Sequence, residues 1–430
     1  MKLTLELAAM AHGGEAFGRQ GGKVYFVPGG LPGERVTVQV VDEREKWARA
    51  RLVAIESPSA DRVAVPRCPH FGDPAERFSL DEFEREFNAR WGDPGRFCGG
   101  CQWQHIAYEA QLHFKTDIVR DQLARIGKFY DPRVHPIRGM SDPWLYRNQA
   151  QFHVVIDGVP GFLAPESRNV TPIEQCLILH PLLQASFNAL DLHLPELERV
   201  TLRAGINTGE QLIILQTRDD EPPELEVDLP ISVVFLLSDG TPVTLVGRPY
   251  ITEVLGGRPF RITADAFFQV NTTQAEVLVD LVRSYLDLRS GETLLDAYCG
   301  VGTFGLLLAE QAAEVILVEK HPLAVADAEH NSGDLENVTL IEGPAESVLG
   351  QLESVDAVVV DPPRAGLAPE ALDGLTALNP SRIVYVACDP ATLARDARRL
   401  VEKGYRLVEV QPVDMFPQTY HIECVALIAK

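Results

Sequence analysis

Two side chains near the C-terminus have the types that covalent catalysis needs. In RIVYVACDPATLARD, Cys388 stands at the end of an apolar run of strand character. A helix is expected to begin near Ala391, and its free amides would favour a thiolate. In HIECVALIA, Glu423 interrupts an otherwise apolar run, a costly place for a carboxylate that is neither paired nor working. Between them in function stands Asp361, at the end of DAVVVDPPR, where two prolines would shape a rigid pocket for a planar ring. A thiol at one strand end can add to an electron-poor ring carbon, and a carboxylate at the neighbouring one can later remove a proton from the adjacent carbon. Each also has a plainer reading, Cys388 as a small buried hydrophobe and Glu423 as a water-facing residue on an edge strand.

The elements that must position these residues begin near Gly257, where strands start to alternate with helices as in a doubly wound, mostly parallel sheet. The first strand, ETLLDA, runs into CGVGTFG. Gly300 and Gly302 there let the backbone approach a ligand, and Thr303 opens a helix whose amides point the same way. The next strand, EVILVE, ends in Glu319, a carboxylate placed to accept both hydroxyls of a ribose. Gly300, Gly302 and Gly305 form a GxGxxG, so a nicotinamide-dependent oxidoreductase is a competing reading. The proline pair after Asp361 argues against it, because hydride transfer has no need of that pocket.

The chain of 430 residues, 46% hydrophobic, is long enough for two or three cores and is neither disordered nor fibrous. No run of 18 apolar residues and no signal-peptide pattern occurs, so a cytoplasmic protein that engages no membrane is expected. The net charge of -22 argues on its face against a nucleic-acid partner. Locally the balance differs, with eight Lys/Arg against seven Asp/Glu in residues 1–60 and seven against four in residues 111–150. The acidity lies mostly in the C-terminal half, which leaves room for an RNA-facing surface in the first 150 residues, although so mild a bias also suits a merely solvated face.

Short alternating strands such as KVYFVPGGLPGE and RVTVQVVDE predict a small OB-type β-barrel over residues 1–60. A central α+β segment, 61–257, follows, with a helical run near Tyr108 to Ile126 and strands in NQAQFHVVID and QLIILQT. Residues 258–430 form the third domain. Seven cysteines in such a chain are not a disulfide framework. Cys98 and Cys101 form CGGC, Cys68 precedes and Cys176 follows, a set whose spacing suits zinc or an iron–sulfur cluster. Cys299 and Cys424 read as packing residues, and His105 and His421 as structural hydrogen-bonders.

FFQVN at 267–271, DAYCGVGTF at 296–304, DPPR at 361–364, ACDPATLARD at 387–396 and HIE at 421–423 occur in the order found in the RNA uridine-5-methyltransferase family, which the chain resembles over nearly its whole length. The resemblance implies a Rossmann-like class I fold binding S-adenosylmethionine through Gln269, Tyr298, Glu319 and Asp361, with Cys388 as nucleophile and Glu423 as base. KVYFVPGGLPGERV resembles the RNA-binding barrel called TRAM, and CGGCQWQHIAYEAQL resembles the family's iron–sulfur segment, implying a [4Fe–4S] cluster on Cys68, Cys98, Cys101 and Cys176. A barrel with a cluster domain resembles the branch that acts on 23S ribosomal RNA, with transfer RNA the alternative substrate. A monomer is expected. A non-catalytic iron–sulfur RNA-binding protein is the remaining alternative.

The implied chemistry explains the residue types. Carbon 5 of uracil is a poor nucleophile until a thiolate adds to carbon 6; after methyl transfer a base must remove the carbon 5 proton so that the thiolate leaves. The target base must leave its stack to reach the pocket. The chain departs from the family pattern at Asp389, where asparagine is usual, at Gln149, where a basic residue is common, and in an acidic insertion, PAERFSLDEFEREFNARWGDPG, between Cys68 and Cys98.

Overall fold

The computed structural model describes residues 1–72, 97–155, 158–192, 194, 196–225 and 230–430. The acidic insertion lies outside the described residues.

Strands β1 (Lys2–Met10), β2 (Ala16–Gln20), β3 (Lys23–Val27), β4 (Arg35–Glu43) and β5 (Trp47–Ser57) close into a barrel in the order β1-β2-β3-β5-β4. Alternation drives the closure: Leu5 and Leu7, Val36 and Val38, and Ala48, Ala50 and Leu52 point inward and are buried. Arg62 leads out of the barrel and pairs with Glu34, which is wholly buried (Nε to Oε1 2.6 Å).

Helix α1 (Tyr108–Arg125) then crosses to the C-terminal part of the chain. Its apolar spacing reads as an ordinary amphipathic helix, yet the face it buries also carries Gln111 and Lys115. Lys115 Nζ donates to Asp414 Oδ1 (2.6 Å), and both side chains are fully buried. Tyr108 donates to the other carboxylate oxygen at 2.8 Å. A polar, fully satisfied seam thus ties the helix to the segment that leads to Glu423.

Among the described residues the central part is a seven-stranded sheet in the order β12-β11-β10-β9-β6-β7-β8. Its strands are β6 (Gln149–Val154), β7 (Pro160–Leu163), β8 (Val170–Pro172), β9 (Leu197–Ala204), β10 (Gln211–Thr217), β11 (Ser232–Leu236) and β12 (Pro242–Val246), with α2 (Pro181–Asn188) against it. A hairpin of β13 (Tyr250–Leu255) and β14 (Arg258–Thr263) follows, and Gly257 lies in its turn.

Helix α3 (Thr272–Leu286) introduces the last sheet, which runs β17-β16-β15-β18-β19-β21-β20. It comprises β15 (Thr293–Ala297), β16 (Glu314–Glu319), β17 (Val338–Glu342), β18 (Ala357–Val360), β19 (Arg382–Ala387), β20 (Arg406–Val413) and β21 (Glu423–Ala429). Helices α4 (Thr303–Leu308), α5 (Pro322–Ser332), α6 (Ala345–Val348), α7 (Pro369–Ala377) and α8 (Pro390–Glu402) supply the crossovers. Strands β15 to β19 are parallel, and β21 inserts antiparallel between β19 and β20. This is a class I S-adenosylmethionine methyltransferase fold. No helix among the described residues is long and apolar enough to cross a membrane.

Candidate active site

The glycine loop comes first in the chain and shows why glycine is needed at two of its positions. Gly302 has φ of 91°. A Cβ on Gly305 would come within 2.4 Å of Leu317 Cδ2, so only glycine lets α4 pack this close to β16. Asp296 at the end of β15 accepts from Gly305 N at 2.7 Å, and burial pushes its carboxyl up to about 8. Tyr298 sits in the left-handed region at φ 66°, a conformation that a tyrosine adopts at a cost.

Glu319 stands at the end of β16 as expected, and the backbone fixes it. Oε2 accepts from Gly300 N at 2.9 Å, and Oε1 from Lys320 N and His321 N at 2.8 Å each. Oε1 is thereby filled by two amides, whereas Oε2 keeps a lone pair that can accept from a ligand hydroxyl.

Across the sheet, Asp361 follows β18, and Gln269 Nε2 donates to its Oδ2 at 3.2 Å. Burial pushes Asp361 up to about 7 against that bond. Gln269 precedes Asn271, whose side chain caps α3 by accepting from Gln274 N at 3.2 Å. The FFQVN segment therefore presents Gln269 from a fixed helix start.

Cys388 and Glu423 come together through strand pairing. Ala387 pairs with Cys424, the last pair between β19 and β21, and the two residues of interest are the next on each strand. The edge-strand reading of Glu423 is overturned, since β21 is an interior strand and Glu423 is only 4% exposed. Its carboxyl is pushed well above the usual range by burial and by Asp361. Cys388 is partly exposed, and its thiol is pushed up to about 12 by burial, then by Glu423 and Asp361.

That corrects one expectation. The amides at the start of α8 do not favour a thiolate, because Asp389 takes them: its Oδ1 accepts from Ala391 N at 2.9 Å and from Thr392 N at 3.0 Å. The site as it stands holds a neutral thiol among carboxyl groups.

Cys68, Cys98, Cys101 and Cys176 line one cavity with Gln104, Arg147 and Phe162. Burial, with Cys176 and the other two cysteines nearby, pushes the Cys101 thiol up. Among the described residues no group of three or more His, Cys, Asp or Glu side chains is close enough to grip a metal ion. The expected cluster site is thus a set of convergent thiols rather than a formed ligand cage. Cys299 and Cys424 are buried, and His105 stacks on Phe71 with ring centroids 5.9 Å apart.

The sequence reading missed the residues that hold the site from outside. Gln102 N and Trp103 N both donate to Gln418 O (3.1 and 2.9 Å), and Gln111 Nε2 donates to Gln418 Oε1 at 3.0 Å. These bonds join the segment after CGGC to the segment before Glu423. A run of polar residues on one face of α1 was the available signal.

A glycine loop after the first strand, a carboxylate at the end of the second and a class I sheet define an S-adenosylmethionine-dependent methyltransferase. Residues 239–430 match the family described as tRNA (Uracil-5-)-methyltransferase, and residues 3–53 match the TRAM domain. The chain is 36% identical to a protein of Halalkalibacterium halodurans named as an uncharacterized RNA methyltransferase, covering 100% of this chain and 96% of that one. A Streptomyces avermitilis protein with the same description is 34% identical, over 99% of this chain and 97% of its own length. The crystal structure of Pyrococcus abyssi tRNA (uracil-54, C5)-methyltransferase in complex with S-adenosyl-L-homocysteine superposes with a TM-score of 0.74 at 26% identity, covering 99% of this chain and 100% of that one. The chain belongs to the RNA (uracil-5-)-methyltransferase family and is an S-adenosylmethionine-dependent enzyme of it. The nicotinamide and non-catalytic readings are set aside.

Proposed function

We propose that the protein methylates carbon 5 of a uridine in 23S ribosomal RNA through a covalent bond between Cys388 and carbon 6. The observation that carries the mechanism is the meeting of Cys388 and Glu423 at the ends of β19 and β21, beside Asp361 and Gln269. The Cys388 thiol gives its proton to a neighbouring carboxylate as Sγ bonds to carbon 6, and the ring electrons move onto the carbon 4 carbonyl. S-adenosylmethionine supplies an electrophilic methyl group. Once carbon 5 carries that methyl, the Glu423 carboxylate removes its proton, the 5,6 double bond re-forms and the Cys388 sulfur leaves. Gln269 and Asp361 fix the geometry, and Tyr298 and Glu319 hold the cofactor's nucleoside.

The four cysteines would hold a [4Fe–4S] cluster, which would order the CGGC segment; methyl transfer itself needs no electron. Their convergence on one cavity supports this reading.

The ribosomal substrate rests on the resemblance of a barrel plus cysteine segment to that branch, whereas the solved relative acts on transfer RNA at uracil 54. The test is nucleoside analysis of 23S and transfer RNA from cells lacking the enzyme, after incubation with purified protein and S-adenosylmethionine. New 5-methyluridine in 23S RNA supports the assignment. Its appearance only in transfer RNA would keep the chemistry and overturn the substrate.

A further inference from the structure

The N-terminal barrel is set against the residue that follows the nucleophile. In the turn between β1 and β2, His12 Nε2 lies 3.3 Å from Asp389 Oδ2. Gly14 O accepts from Trp103 Nε1 at 3.1 Å. Gly14 has φ of 87°, and a Cβ placed on it would lie 2.7 Å from Tyr420 Cβ. One tight turn of the barrel therefore touches both segments of the active site, the one behind Cys388 and the one ahead of Glu423.

Asp389 divides its oxygens between two tasks. Oδ1 caps α8 through two backbone amides, while Oδ2 faces His12, with Arg364 Nε 3.8 Å away. A side chain held from the helix side and the barrel side at once restrains the backbone at Cys388. An asparagine would keep the cap but offer His12 no carboxylate.

We propose that His12 is a positioning residue for the covalent step: by holding Asp389 from the barrel it fixes the junction between Cys388 and α8, so that bond formation to the uridine requires a docked barrel. This rests on Cys388 being the nucleophile. The barrel then serves the chemistry as well as the RNA. The charge on Asp389 is secure, because burial, which would raise its pKa, is outweighed by the bonds from His12, Thr392 N and Ala391 N, which hold it at about 2.

The test uses the full-length protein, S-adenosylmethionine and saturating RNA carrying 5-fluorouridine, reading the rate at which the denaturation-resistant adduct forms alongside the Kd for RNA. His12→Ala should slow adduct formation by about tenfold while changing Kd by less than about twofold, a misplacement effect. His12→Gln, which keeps an N–H for Asp389, should recover most of the rate. In an Asp389→Asn background His12→Ala should add little, because coupled residues are non-additive. Gly14→Ala, which wedges the turn off Tyr420 without changing the His12 side chain, should slow the same step. An effect of His12→Ala confined to Kd, one of equal size in both backgrounds, or none at all would overturn the proposal. A wild-type protein that makes 5-methyluridine without forming an adduct would overturn the Cys388 reading, and the clamp with it.

Discussion

Cys388 and Glu423 face one site from two antiparallel strands, one residue past the Ala387–Cys424 pair. Strand register, a backbone property, thereby sets the distance between the proposed nucleophile and the proposed base, and the two proposed roles separate by mutation. Cys388→Ala should make neither adduct nor product. Glu423→Gln should still bond to carbon 6 but release the RNA at least about a hundredfold more slowly, so that adduct accumulates with unmodified RNA. Gel shift under denaturing conditions checks both.

The pH dependence follows from the same neighbours. Burial and Asp361 push the Glu423 carboxyl well above its usual range, and burial, Glu423 and Asp361 push the Cys388 thiol up to about 12. Raised values mean that each group releases its proton at a higher pH than usual, so the Glu423 carboxylate and the Cys388 thiolate both gain population as pH rises. The kcat/KM for RNA should therefore climb with pH across and above the neutral range. A plateau from pH 5 upward, as an ordinary carboxylate would give, is the opposing result.

The buried Lys115–Asp414 pair is the second structural anchor of the base segment. Lys115→Met should cost about 3–5 kcal/mol of unfolding free energy, because it leaves a buried carboxylate without its cation. Adding Asp414→Leu should restore much of that loss. Denaturant unfolding of the three variants measures it.

Cys98 and Cys101 stand four residues and one residue before Gln102, whose amide donates to Gln418 O. Protein purified without oxygen should carry iron and sulfide in equal amounts, and Cys101→Ser should lose both. Iron and sulfide analysis checks this, and zinc in their place would decide for the other metal.

Much of this site was legible because strand ends announce themselves. CGVGTFG, DPPR and ACDP each follow an apolar run, and the structure puts Gly300, Asp361 and Cys388 just past β15, β18 and β19. Long-range order was not legible. Nothing in HIECVALIA says that β21 lies inside the sheet, which is what buries Glu423. The helix-start signal at CDPAT was real but its consequence was misread, because Asp389, a strong capping residue, takes the amides that would otherwise have stabilised a thiolate. The contact of His12 with Asp389 joins the two ends of the chain, and local pattern carries no trace of it.

The most direct measurement is mass spectrometry of the adduct formed when the protein, S-adenosylmethionine and 5-fluorouridine-containing 23S RNA are mixed and digested. A single methylated fluorouridine attached to the peptide bearing Cys388, and absent from Cys388→Ala, is the result this account predicts. Product formation on natural RNA with no such peptide, or attachment at another residue, would contradict it.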